Sequence, residues 1–241
     1  MSIRDKTLFL YKVKNREDFY DEEIIEQIDL RNENLSGLTF RNCTFDFMGF
    51  DGCNLSNVKF LNCNFFNCII TNCIVKESNF RSSRIIGLNS DFSDYQYSNF
   101  ENSEIKNSKF KNDRLWQANF QDSIIEYSLF ANGSVYGSNF SNSNMFDCEH
   151  SGMILSTALF KNATIVRCII DNIELADEET GMYFDGANID NTKFFLSNIK
   201  EENIVKIMRK AKLHNCSCNI NGNYININRQ EKTSSLASRF M

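Results

Sequence analysis

The sequence predicts an all-β solenoid, a chain wound into four-sided coils of 20 residues with its large apolar side chains stacked inside. Three observations carry this prediction. From Leu35 to Leu175 every fifth residue is apolar or aromatic, and Ser90 and His150 are the only departures in 29 positions. Two residues before each of these positions stands Cys, Ser, Ala or Gly in 21 of the 29 cases. Every twentieth residue then sorts by type into columns.

A period of five fits neither an α-helix at 3.6 residues nor a β-strand at 2. It fits a chain that turns a corner every five residues and points one large and one small side chain inward on each side. Four sides close a coil, and the columns support that closure independently. One column is all phenylalanine: Phe40, Phe60, Phe80, Phe100, Phe120, Phe140 and Phe160. The next reads Phe45, Phe65, Ile85, Ile105, Ile125, Met145 and Ile165, and another runs Leu35, Leu55, Val75, Tyr95, Leu115, Val135, Leu155 and Leu175. Stacked coils lie about 4.8 Å apart, so seven of them make a rod roughly 34 Å long. Outside, Asn42, Asn62, Asn102, Asn142 and Asn162 share a column and are expected to form an amide ladder.

Segments such as Ala118-Asn119-Phe120, Ser138-Asn139-Phe140 and Ala187-Asn188-Ile189 resemble the pentapeptide-repeat family, whose motif is a small residue, Asp or Asn, then Leu or Phe and two variable positions. The resemblance spans residues 33–200. It implies a right-handed quadrilateral β-helix, here of about seven to eight coils, and non-catalytic roles.

Taken in order, residues 1–32 are expected to form an N-terminal cap. Its helix is placed at 15–29, with Asn15 as the cap and Phe19, Ile24, Ile25 and Ile28 on the apolar side. Open solenoid ends expose unpaired edges and core, which is why caps are expected. The rod follows over 33–200. Its register breaks after Leu175 and resumes four residues late at Phe184, Ile189, Phe194 and Ile199, so 176–183 should bulge as a loop. From Cys168 to Thr192 there are seven acids and no base. The final part, 201–241, is expected to hold a capping helix over 200–213, from the spacing of Ile204, Ile207, Met208 and Ala211. A hairpin at Asn221-Gly222 and a flexible tail complete the reading.

Composition narrows the function classes. The net charge of −5 gives no reason to expect direct contact with nucleic-acid phosphates. No apolar run is long enough to span a membrane. The segment MSIRDKTLFLYKVKNRED lacks the apolar core and cleavage site of a secretory signal. A cytoplasmic protein is therefore expected, or one exported into a host cell without a cleaved signal.

Seven of the nine cysteines (Cys43, Cys53, Cys63, Cys68, Cys73, Cys148 and Cys168) occupy the small inward position. The pairs 43/63, 53/73 and 148/168 lie one coil apart, within backbone reach of a disulfide. Parallel, in-register side chains and a reducing compartment favour buried thiols instead.

Nothing in the sequence marks catalysis. There are two histidines, no phosphate loop and no nucleophile elbow. His214, Cys216 and Cys218 form an H-x-C-x-C cluster without the second pair that a four-ligand zinc site needs. No metal, cofactor or catalytic residue is assigned. His150 is expected to be a core polar residue satisfied by backbone or water.

What remains is surface. Trp116 and Tyr136 take the same outward position on successive coils, with Tyr97 beside them, and these three are the candidate protein-binding residues. The opposite face carries Phe66, Ile86, Phe146 and Val166, suited to a terminal helix or a dimer partner. Two functions follow from the resemblance. One is a protein-interaction module or scaffold, of the kind that some bacteria deliver as effectors to dock host proteins. The other is an acidic DNA mimic that binds and protects DNA gyrase or topoisomerase IV. A passive spacer is a third reading.

Overall fold

A computed structural model describes residues 2–21, 24–171, 184–196, 208, 210–220 and 222–227. It is a parallel β-solenoid of about nine turns, with a single short helix among the described residues, near the N-terminus. Four faces can be named by their inward columns: face 1 from Phe40, face 2 from Phe45, face 3 from Phe50 and face 4 from Leu55. Faces 2 and 3 are each an 11-stranded sheet. Their three-residue strands stack at 20-residue register, as in Phe45↔Phe65 and Ile70↔Ser90. Face 1 begins as a three-stranded sheet and continues as single bridges, and face 4 is single bridges throughout.

The corner chemistry explains the sequence. On face 4 the residue after Ser56, Asn57, has φ of +59°, and Val58 N donates to Leu55 O at 3.3 Å, closing a turn. The same left-handed corner recurs at almost every residue numbered two past an inward one, and Asn fills many of them. Asn tolerates this backbone region better than other side-chain-bearing residues because its short amide bonds locally. The Asn column is thus first a row of corners. Amide bonds between coils add to it, as in Asn62 to Asn42 at 2.9 Å.

Asn immediately before the inward residue has a second task. On faces 1 and 4 its side-chain oxygen accepts the backbone N–H two residues on, as Asn119 does from Gln121 at 3.1 Å. In the segment 54–58 every backbone N–H is engaged. Asn54, Leu55 and Asn57 donate to neighbouring coils, Val58 closes the turn, and Ser56 donates to Asn54 Oδ1. Proline has no N–H and cannot adopt a left-handed corner, so a chain built this way has no place for it.

The interior is close-packed. Phenylalanine rings of face 1 stack from Phe40 to Phe160 at centroid distances of 4.7–5.2 Å, and the stack continues to Phe184 at 4.9 Å. The small inward position carries Ser or Cys because its hydroxyl or thiol can reach a carbonyl of the coil below. Ser98 donates to Val75 O at 2.6 Å and Cys68 to Phe45 O at 3.6 Å. All nine cysteines are buried and reduced. Burial pushes the Cys68 thiol up to about 12, and the Cys43 sulfur against Cys63, with burial, raises the Cys63 thiol as well.

At both ends the rod is longer than the repeat pattern predicts. The N-terminal helix is Lys6–Lys14, not 15–29, and Asn15 is its C-cap. Asp5 caps its start by accepting from Thr7 N at 2.8 Å. Phe9 and Val13 are buried, and Phe9 lies 5.2 Å from Phe19, covering the end of the phenylalanine stack. Residues assigned to that helix are instead strands: Phe19↔Phe40, Ile25↔Phe45 and Asp29↔Gly49 already pair in solenoid register.

At the other end the expected helix over 200–213 is contradicted where the chain is described. Lys212–His214 is a strand paired with Asn188–Asp190, and Ala211 N donates to Met208 O in the same turn that closes earlier corners. Met208, Leu213 and Cys218 thus extend the columns of Phe184, Ile189 and Phe194 at a 24-residue spacing. A final antiparallel hairpin pairs Ser217–Ile220 with Asn223–Asn226. The loop 176–183 and the tail after Ile227 lie outside the described residues.

Candidate functional site

Face 4 presents Tyr97, Trp116 and Tyr136 outward, all of them substantially exposed. The coil ladder fixes their spacing. Tyr97 N donates to Trp116 O at 2.9 Å, and Gln117 N donates to Tyr136 O at 2.8 Å. The Trp116 and Tyr136 rings meet edge to face, with centroids 6.3 Å apart at 63°. The Arg114 guanidinium lies 5.7 Å from the Trp116 ring centroid. Its other contact is Asp94 at 3.4 Å, which Lys76 also meets at 3.2 Å. In the three turn segments 114–117, 134–137 and 154–157, Arg114 is the one charged residue. The structure therefore brings Trp116 and Tyr136 into direct contact and ties Tyr97 to them through the backbone.

The other faces are built differently. The apolar column of face 2 (Phe66, Ile86, Phe146 and Val166) is only half-exposed. It is interrupted by the ion-pair chain Arg84–Glu104–Lys106–Glu126, with contacts of 2.7 to 3.1 Å. Arg81–Glu101 and Arg167–Asp147 pair across coils in the same way. No continuous acidic stripe runs along the described residues.

The H-x-C-x-C cluster is dismantled by the solenoid alternation. His214 points outward, with Nδ1 2.7 Å from Asp190 Oδ1, whereas Cys216 and Cys218 are buried inward. No group of three or more potential metal ligands assembles among the described residues.

Inside the rod, His150 stacks on Phe130 at 4.9 Å and 1°, and neither ring nitrogen has a hydrogen-bond partner. The expected backbone partner is not there. An aromatic ring fits the column between Phe130 and Ile170, and its polar atoms come with it. Burial holds its pKa down at about 4, so it is neutral at ordinary pH. Sequence reasoning also passed over Asp113, one of the few large or charged residues at the small inward position. It is 2% exposed, with burial lifting its pKa to about 7.

A parallel solenoid with four five-residue sides and an exposed aromatic face defines the class. Residues 49–87 match the family described as pentapeptide repeats, in eight copies, and the chain carries that repeat. HetL, a pentapeptide repeat protein involved in heterocyst differentiation regulation from the cyanobacterium Nostoc sp. strain PCC 7120, aligns over 78% of this chain and 94% of its own. The identity is 12% and the TM-score 0.35. QnrB1, a plasmid-mediated fluoroquinolone resistance protein, aligns over 79% of this chain and 93% of its own, at 14% identity and a TM-score of 0.39. No curated protein matches the sequence. At these scores neither similarity bears on what this chain binds. No helix among the described residues is long and apolar enough to cross a membrane.

Proposed function

We propose that the protein is a non-catalytic docking rod that binds another protein through face 4, with Trp116, Tyr136 and Tyr97 as anchors. The observation that carries this reading is the Trp116–Tyr136 pair, two exposed rings in edge-to-face contact beside Arg114 and Asp94, whose charges pair with each other. Interface cores are depleted of charge, and Trp, Tyr and Arg dominate binding hot spots. Two rigid rings on a stiff ladder also lose little conformational entropy when a partner covers them.

The DNA-mimic reading calls for a continuous line of unpaired acids. The cross-coil ion pairs weigh against it, because they neutralise the acidic residues locally.

The test is a pull-down from bacterial and host-cell lysates with wild type and a Trp116→Ala, Tyr136→Ala double variant. Both side chains point outward, so the variant keeps its fold. Docking through face 4 predicts a captured protein that is lost, by at least tenfold, with the variant. Recovery of gyrase or topoisomerase IV subunits in equal amounts with both proteins would overturn the docking reading in favour of topoisomerase protection.

A further inference from the structure

Beneath face 4, three polar groups meet inside the rod. Tyr95 OH and Ser90 Oγ lie 2.9 Å apart, and both residues are fully buried. Asp113 Oδ1 accepts from Ser93 N at 2.7 Å, with the Ser90 hydroxyl facing the carboxyl. Asp113 Oδ2 has no partner.

The surroundings offer a negative charge the Ser93 N–H and the Ser90 hydroxyl, but no cation. The coil beyond contributes Gly133, which has no side chain and whose N–H is directed at Met153 Sδ, 3.1 Å away. The titratable groups packed near the site are Asp91, Tyr95 and Cys73, none of them cationic. Lys111 and Arg114, the basic neighbours in sequence, occupy outward positions, and Arg114 is turned to Asp94. A carboxylate here would be a buried, uncompensated anion that also faces the Asp91 charge. A neutral carboxyl has one proton to offer the Ser90 hydroxyl and leaves no charge to solvate.

We propose that the folded rod holds Asp113 as an uncharged carboxylic acid, a stored proton whose release loosens the coil beneath the aromatic face. The sign follows from linkage. In the unfolded chain Asp113 ionises with an ordinary pKa of 3.8, and in the rod it keeps its proton to about 7. Between these values the folded state binds the extra proton, so Asp113 makes the rod less stable as pH rises from 4 to 7, and the loss is complete above 7. His150 acts oppositely over nearly the same window, since it must be neutral in the rod but is protonated below 6.5 when unfolded. The two trends largely cancel in the wild type, and each becomes visible when the other is removed.

The proposal does not depend on the docking reading. Its test is thermal melting between pH 4.5 and 8 in a His150→Phe background, together with infrared spectroscopy of the carboxyl region. The melting temperature of His150→Phe should fall by about 5 °C or more from pH 5 to 7.5. Adding Asp113→Asn should abolish that fall and raise the melting temperature at pH 7.5. A carbonyl band of a protonated carboxylic acid should persist at pH 6, fade by pH 8.5 and be missing in Asp113→Asn. Should the Asn variant fail to fold, Asp113→Ser, matching Ser93 one coil below, reads the same slope. Parallel melting profiles with and without Asp113, or no protonated-acid band at pH 6, would overturn the proposal.

Discussion

Ser90 interrupts a column of Phe50, Ile70, Phe110 and Phe130, and Tyr95 from face 4 reaches across to it with a hydroxyl 2.9 Å away. A small residue on one face is thus answered by a larger one on the next, and the pair should behave as a unit. Ser90→Ile alone overpacks the Tyr95 ring and leaves its hydroxyl unsatisfied, at a cost of about 2–4 kcal/mol. Combined with Tyr95→Leu, which restores the residue type of the neighbouring columns, it should recover at least half of that loss in urea unfolding. Additive losses would show that the two residues do not compensate each other. His150 yields a second residue-scale prediction. Its folded pKa is depressed, so its stability contribution is full above 6.5 and is lost as pH falls toward 4. In an Asp113→Asn background, His150→Phe should gain up to about 3 kcal/mol at pH 4.5 and far less of it at pH 7.5. A gain independent of pH would mean that shape, not charge, limits the site. Neither departure was interpretable from the sequence alone. Each was visible as a break in a column, but Ser90 is answered from an adjoining face by Tyr95, and His150 by stacking on Phe130 of its own column.

The repeat element is where the sequence was most legible. A column that uses one residue type for seven coils, as Phe40 to Phe160 does, leaves the 20-residue coil almost no competitor. The left-handed corners were seen only as an amide column, because backbone dihedrals have no direct signature beyond the preference for Asn and Gly. The helix expected at 15–29 and the described part of the one expected at 200–213 were misread for one physical reason. In a pentapeptide coil the large inward residue is followed three positions later by the small inward one, and three is also a helical spacing. Met208 and Ala211 are such a pair, and in the N-terminal stretch Phe19, Ile25, Ile28 and Leu30 all point inward. Corner energetics follow from the same geometry. Asn119 accepts from Gln121 N at 3.1 Å and bonds to Asn99 and Asn139 on either side. Asn119→Ala should therefore cost about 1–2 kcal/mol in chemical unfolding. Thr157, a β-branched residue at φ of +59°, is strained at its corner, and Thr157→Asn should stabilise the rod by about 1 kcal/mol. A neutral Asn119 variant or a destabilising Thr157→Asn change would contradict this account of the corners.

At the scale of the whole molecule, each coil touches only its neighbours, so stability accumulates coil by coil and the ends need covers. The Lys6–Lys14 helix provides one through Phe9, and the Ser217–Asn226 hairpin closes the last described coil. Charges are paired across coils on faces 1, 2 and 4, and on face 4 the segments 114–117, 134–137 and 154–157 carry Arg114 as their single charge. The Trp116–Tyr136 pair was readable from the sequence because outward positions on one face recur every 20 residues, and Tyr97 falls at the neighbouring corner position. Lys106, Lys109, Lys111 and Arg114 already break any acidic stripe in the sequence, whereas the Arg114 contact and the cross-coil ion pairs are visible only in the fold. The central claim is that this face, and not an end or a charged side, is where a partner docks. Hydrogen exchange on the complex with the captured protein tests it most directly. Protection confined to segments 94–97, 114–117 and 134–137 is the predicted result. Protection along faces 2 and 3 or at the rod ends, with those segments unchanged, would contradict it.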